Sequence, residues 1–340
     1  MTILLLLAVG HTDLDRAVPR WLQESGVPAV SVAVIEDGRL SFSATYGEAR
    51  PGVPADSHTV FNVASLTKPL VAEAVLRLAS AGRLDLDAPL SEHWVDPDLV
   101  DDPRHHRLTA RFALSHRTGF PNWRDGVLSF QGDPGVTPSY SGEGYEYIAR
   151  YLEKKLGDSL ESLVKTHVLK PLNMSRTALS KKPWLAKSVA HAQDAQGQSR
   201  PADVRNVASA ADDALTHATD YAKFLLAVMH NRGVTAATAQ ERLKIDLLQM
   251  PEGRCPWQDC PQRIGFGLGW AVFDYGDERV VMQGGGDWGE RALAFFVPER
   301  RFGMVILANS HAGGDVIEKI VAALYDNPRF HRFLAFQNNG

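Results

Sequence analysis

The sequence predicts an α/β (α+β) protein in which an antiparallel β-sheet is flanked by helices and interrupted by an inserted, mostly helical region. Near both ends of the chain, short runs bounded by turn residues alternate apolar with polar positions, the pattern of strands. The middle reads as helices joined by Pro- and Gly-containing loops. No internal repeat or low-complexity linker separates these portions, so the first and last are expected to share one sheet. The expected division is residues 11–84 with 264–340 as the sheet domain and 85–263 as the insertion. Residues 1–10 stand apart as a candidate remnant of an export signal.

A short helix is expected around Leu14 to Leu22. Ala29 to Glu36 sets Val30, Val32 and Val34 on one face, and Asp37-Gly38 turns the chain into Leu40 to Tyr46, a hairpin signal. Phe61-Asn62-Val63-Ala64 leads into a helix with Leu70, Ala74, Val75 and Leu78 on one stripe and Gly82 as its stop. Gly144 to Leu156, Leu160 to Leu169 and Thr219 to Met229 are the helical patterns of the insertion. Gly267 to Phe273, Arg279 to Gln283, Ala292 to Val297 and Gly303 to Ala308 read as a second set of antiparallel strands. Asp315 to Tyr325 closes the chain as an amphipathic helix burying Val316, Ile320, Val321 and Leu324.

With 340 residues, 44% hydrophobic and 22% charged, the chain is long enough for a large core. Its net charge is −4, and the Lys/Arg residues form no basic stripe interleaved with aromatics, so nucleic acid is excluded as the expected partner. The apolar run Ile3 to Val9 is far shorter than the roughly 20 residues a spanning helix needs. Small residues at Ala8-Val9-Gly10 suit cleavage, but no Lys or Arg precedes the run. The expectation leans to a periplasmic or secreted protein, with a cytoplasmic one left open. Cys255 and Cys260 share a Pro-flanked loop, either as a small disulfide ring or as two free thiols, and lack the second ligand pair that zinc requires.

Ser65 and Lys68 stand three apart at the start of the predicted helix, where both side chains leave the same face. A partly desolvated amine there can take the serine proton and make the hydroxyl a nucleophile. Roughly one Ser-x-x-Lys arises by chance in a chain of this size. Ser162 and Lys165 form a second copy, but inside a helix, where a solvated face is expected. Pro69 suits the opening turn of a helix and favours the first copy. His116, His191 and His217 lack metal-ligand spacing, and there is neither a His-Glu-x-x-His nor a Gly-x-Ser-x-Gly.

From about Val27 to Leu324 the sequence resembles the serine β-lactamase and penicillin-binding protein superfamily, in particular its class C branch with the β-lactamase-like esterases. The resemblance rests on Phe61-Asn62-Val63-Ala64-Ser65-Leu66-Thr67-Lys68, on Leu114-Ser115-His116-Arg117-Thr118-Gly119, and on Thr219-Asp220-Tyr221-Ala222-Lys223-Phe224-Leu225. It implies a β-lactamase/transpeptidase-like fold, with Ser65 as nucleophile and Lys68 as its base. The family's Tyr-x-Asn motif matches Tyr140-Ser141-Gly142, which implies that Tyr140 shares proton transfer with Lys68 while Gly142 replaces the substrate-holding asparagine. Glu143 is expected as a solvated loop carboxylate. The Lys-Thr-Gly or His-x-Gly motif matches Gln283-Gly284-Gly285 before Gly286, which implies a substrate-binding strand at Gln283, Gly285 and Gly286. An oxyanion hole at the N–H groups of Ser65 and Gly286 follows from the same likeness.

The expected function is acyl transfer to water on an ester or amide carbonyl, with no cofactor or metal and a small-molecule or peptide-like substrate. Loss of the asparagine and of the cationic or histidine residue points to a carboxylesterase. A D-amino-acid peptidase, a weak β-lactamase and a non-catalytic substrate-binding relative are the alternatives.

Overall fold

Strand β1 (Ala29–Glu36) is apolar at nearly every position because it is buried on both faces, as a computed structural model describing residues 11–339 shows. Val30, Val32 and Val34 enter one core, and Ala29, Ala33 and Ile35 enter another on the opposite side. β2 (Arg39–Arg50) and the short β3 (Val53–Pro54) extend the sheet to one edge. Two small pairs stand outside this sheet, β4 (Phe61–Asn62) with β7 (Leu215–Thr216) and β5 (His191–Gln193) with β6 (Ser199–Pro201). The remaining strands are β8 (Arg263–Phe266), β9 (Ala271–Asp274), β10 (Arg279–Asp287), β11 (Glu290–Val297) and β12 (Phe302–Ala308). They complete an eight-stranded antiparallel sheet in the order β3-β2-β1-β12-β11-β10-β9-β8, so the two ends of the chain meet where β1 pairs with β12.

The first helix, α1 (His11–Ser25), covers the face of the sheet that buries Val30, Val32 and Val34. On the other face lies α2 (Thr67–Ser80), buried on all sides rather than along one stripe, because it is enclosed between sheet and insertion. The insertion supplies α3 (Ala110–Leu114), α4 (Gly142–Leu156), α5 (Leu160–Val164), α6 (Leu185–Ser188), α7 (Ala218–Met229) and α8 (Ala236–Arg242). Helices α9 (Gly313–Leu324) and α10 (Pro328–Asn339) return to the α1 side.

Four expectations are corrected. The run Gly267 to Phe273 is not one strand: Gly269, at φ +95, turns the chain between β8 and β9. β10 does not stop at Gln283 but continues through its glycines to Asp287, held by pairing of Gly284 with Leu293 and Gly286 with Arg291. Helix α10 was not anticipated, and Leu324 is half-buried because Ile317 and Tyr325 take the inward positions. The apolar run Ile3 to Val9 lies outside the described residues.

Candidate active site

The chain enters the site through β4, which hands Ser65 to a 3₁₀ turn, Ala64–Leu66, before α2 begins. Ala64 holds φ +44, a left-handed conformation that costs an alanine of order 1 kcal/mol or more. The surroundings over-determine it. Asn62 Oδ1 accepts the Ala64 N–H at 2.8 Å, Thr67 Oγ1 donates to Ala64 O at 2.7 Å, and Tyr221 of α7 donates its hydroxyl to Leu66 O at 2.8 Å. Ser65 itself is half-buried.

One helical step on, Lys68 is 1% exposed and donates from Nζ to Ser65 Oγ at 3.0 Å and to Ala211 O at 2.8 Å. The carbonyl of Ala211 belongs to a loop pinned by Glu146 of α4, whose Oε1 accepts from Ser209 Oγ at 2.6 Å and from Ala210 N–H at 2.8 Å. Lys68 Nζ also lies 4.8 Å from the centroid of the Tyr140 ring. Hydroxyl and amine from the start of α2 thus gather with a phenol from a remote segment.

Tyr140 is held from two directions. His116 stacks on its ring at 4.3 Å and accepts the Ser141 N–H at Nδ1, 3.1 Å away. Burial, and then the nearby Lys68 cation, push the His116 imidazole down to about 3, so it stays neutral and serves as a positioning residue. From β10, Gln283 Nε2 donates to Tyr140 Oη at 3.2 Å and to Gly284 O at 2.8 Å. The neutral amide at the third motif is therefore spent on the tyrosine.

Gly285 is explained by packing: a Cβ there would lie 2.3 Å from Val63 O, so only glycine lets β10 reach the nucleophile turn. A Cβ on Gly286 would meet nothing nearer than 3.7 Å. β9 leaves β10 at the Ala271–Met282 pair, which uncovers the edge of β10 from Gln283 to Asp287 beside the site. The tip of the β10–β11 hairpin is acidic. Burial raises Glu290 to about 7, and raises Asp213 to about 6; neighbouring Asp287 pushes both in the same direction.

Gly142 and Glu143 receive structural explanations. A Cβ on Gly142 would stand 2.8 Å from the Trp123 ring, so an asparagine has no room there. Glu143 is not a solvated loop carboxylate: it is buried in the first turn of α4, paired with Arg124 Nε at 2.9 Å. Ser162 lies in α5 away from these groups, and Lys165, exposed, opens a π-helical turn after it.

Over residues 14–325 the sequence matches the Beta-lactamase family. The chain belongs to the Beta-lactamase family. Protein flp of Staphylococcus aureus (strain MW2) is 24% identical over 206 residues, covering 54% of this chain and 41% of that protein. The flp of strain COL is 22% identical over 342 residues, 92% of this chain and 65% of that one, so the chain spans only part of these curated relatives. Among solved structures, the octameric penicillin-binding protein homologue from Pyrococcus abyssi superposes with a TM-score of 0.79 at 21% identity, covering 96% of this chain and 80% of that one. A class C beta-lactamase gives 0.75 at 19%, with 92% and 96% covered. At such identities the likeness shows the shared fold.

For this Beta-lactamase family chain, sequence reasoning did not find the roles of His116, Asn62 and the Ala211 carbonyl. His116 and Asn62 lie inside stretches quoted for their resemblance, but only the fold reveals what their ring and amide touch. No side-chain signal marks a backbone carbonyl such as that of Ala211. Among the described residues no helix is long and apolar enough to cross a membrane, and no group of His, Cys, Asp and Glu could hold a metal ion.

Proposed function

We propose that the protein is a carboxylesterase that works through an acyl-enzyme on Ser65. The observation that carries the reading is the 3.0 Å contact between Lys68 Nζ and Ser65 Oγ beside the open edge of β10. Ser65 Oγ attacks the ester carbonyl carbon as Lys68 Nζ, having first passed its own proton to solvent, takes the serine proton. The N–H groups of Ser65 and Gly286 hold the oxyanion, each such donor being worth about 3 kcal/mol. Tyr140 passes a proton to the departing alkoxide, and water then releases the acid by the reverse sequence. Gln283 and Gly285 complete the strand along which the acyl group lies.

Charge supports an ester over a β-lactam or a D-alanyl peptide. A substrate carboxylate needs a free cation; the third-motif position carries instead the neutral Gln283 amide, and the guanidinium nearest the open edge, Arg291, is engaged by the carbonyls of Asp287 and Glu290. Asp287, in the cavity lining at the tip of the β10–β11 hairpin, favours a second reading, a D-amino-acid peptidase whose substrate carries a free ammonium. A fluorophosphonate probe is expected to label wild type and Ser162→Ala, and not Ser65→Ala. Equal loss of labelling in both folded variants would refute the nucleophile assignment. Relative kcat/KM for neutral esters, D-aminoacyl amides and cephalosporins then separates the two readings.

A further inference from the structure

The uncovered edge of β10 borders a cavity of about 760 Å³, within the range of sites that enclose small ligands. At one end are Tyr140 and Gln283, on the same side of the sheet as Lys68. The cavity passes the edge at Gly284 to Asp287 and continues on the reverse face, where Met282, Leu293 and Ile317 belong to the core beneath α9 and α10. Its outer wall is Trp257, carried in the loop closed by the Cys255–Cys260 disulfide and packed on Phe333 at 5.1 Å and Phe336 at 5.5 Å. The chemistry proposed above uses Tyr140 and the β10 edge, and none of the residues on the reverse face.

We infer that this cavity is the acyl-chain site of the enzyme, and that the substrate is an ester of a medium-length aliphatic acid; the inference rests on the esterase reading. The strand whose Gly286 N–H would hold the carbonyl oxygen is the strand that forms the cavity mouth, so an acyl group bound to Ser65 is led along it. The lining is more apolar than polar, Met250, Trp257, Phe273 and Ile317 outweighing Gln249, Gln337 and Asn338, which favours a largely hydrocarbon chain. Gly284 keeps the passage open: a Cβ there would find only the Met282 methyl, at 3.9 Å. Each methylene removed from water adds to binding, so specificity should rise along a homologous series until the cavity is filled.

The test uses p-nitrophenyl acetate, butyrate, octanoate and dodecanoate at concentrations where each ester is monomeric, with the full chain and its disulfide intact. kcat/KM is expected to rise at least tenfold from acetate to octanoate. Ile317→Trp, which fills the far end, and Phe336→Glu, at a wall position 37% exposed and hence tolerant in folding, should each lower the octanoate-to-acetate ratio at least tenfold. Calorimetry on Ser65→Ala protein reads binding without turnover: the octanoate ester should bind at least tenfold tighter than the acetate, and adding Phe336→Glu should remove the difference. If short esters are cleaved through Ser65 while chain length changes neither rate nor binding, the cavity assignment is overturned and the esterase stands. If no ester is cleaved while Ser65→Ala protein binds octanoate by way of Phe336, the acyl site stands and the esterase reading falls.

Discussion

Gly142 shows how a single missing Cβ carries information about the site. The relatives' motif implies an asparagine at this point, yet a side chain here meets Trp123 at 2.8 Å and Asn122 O at 3.0 Å. Loss of a substrate-binding amide and the packing of Trp123 over the start of α4 are therefore one feature. Gly142→Asn is expected to destabilise by about 1–3 kcal/mol through overpacking, read as a lowered Tm, without raising cephalosporin turnover. Unchanged Tm with a gain in cephalosporin hydrolysis would show that Trp123 moves aside easily. Gln283 makes a similar point. Its amide looks like a lost cation when the motif is read alone, and becomes a hydrogen-bond donor to Tyr140 once the fold is known.

Among the elements, α2 bears the heaviest demand, since its first turn presents Lys68 while its middle must carry charge through the core. Glu73, 1% exposed, receives Arg77 Nε at 2.9 Å and faces Arg242 Nη2 at 3.3 Å. Arg77 also donates to the carbonyls of His167 and Arg232, and Arg242 to that of Val228, so this cluster fastens α2 to α7, α8 and the π-helical turn. Arg242 Nε and Nη2 have no hydrogen-bond partner, and burial lowers the affinity of this guanidinium for its proton. One carboxylate thus compensates two buried guanidinium groups. Glu73→Gln should cost on the order of 3–5 kcal/mol, because it leaves buried positive charge unpaired. Denaturant unfolding measures this directly, and a loss below about 1 kcal/mol would mean that water or counter-ions reach the cluster.

At the scale of the whole molecule, the site forms where three layers converge, and its acidic rim ties stability to pH. Glu290, 6% exposed, is raised by burial from 4.5 to about 7, and Asp213 from 3.8 to about 6. In that window the native state holds protons that the unfolded chain has released, so these groups make stability fall as pH rises from about 4 to 7. His116 acts oppositely: lowered to about 3, it refuses a proton the unfolded chain accepts, and stability falls as pH drops below its ordinary 6.5. Glu290→Gln keeps an acceptor for the Gly289 N–H while removing the charge. It should raise stability at pH 8 by on the order of 1–2 kcal/mol, with the gain vanishing near pH 4. Thermal unfolding across that range checks the sign. A gain that grows toward acid would contradict it.

The sequence by itself determined the fold class, β1 with its hairpin, and the helix that starts behind Ser65, since alternation, turn residues and the opening proline act between near neighbours. Its likeness to a family pointed to Ser65, Lys68, Tyr140 and Gln283. Only the tertiary structure decided what each of these touches, which glycines are steric necessities, and that β10 runs on through three glycines because β11 pairs with it. It alone revealed α10 and the cavity walled by the disulfide loop. Lys68 meets the Ala211 carbonyl across 143 positions, and Gln283 meets Tyr140 across another 143. Hydrogen bonds and close packing depend on distances of a few ångströms between segments remote in the chain, and local sequence patterns do not encode those distances.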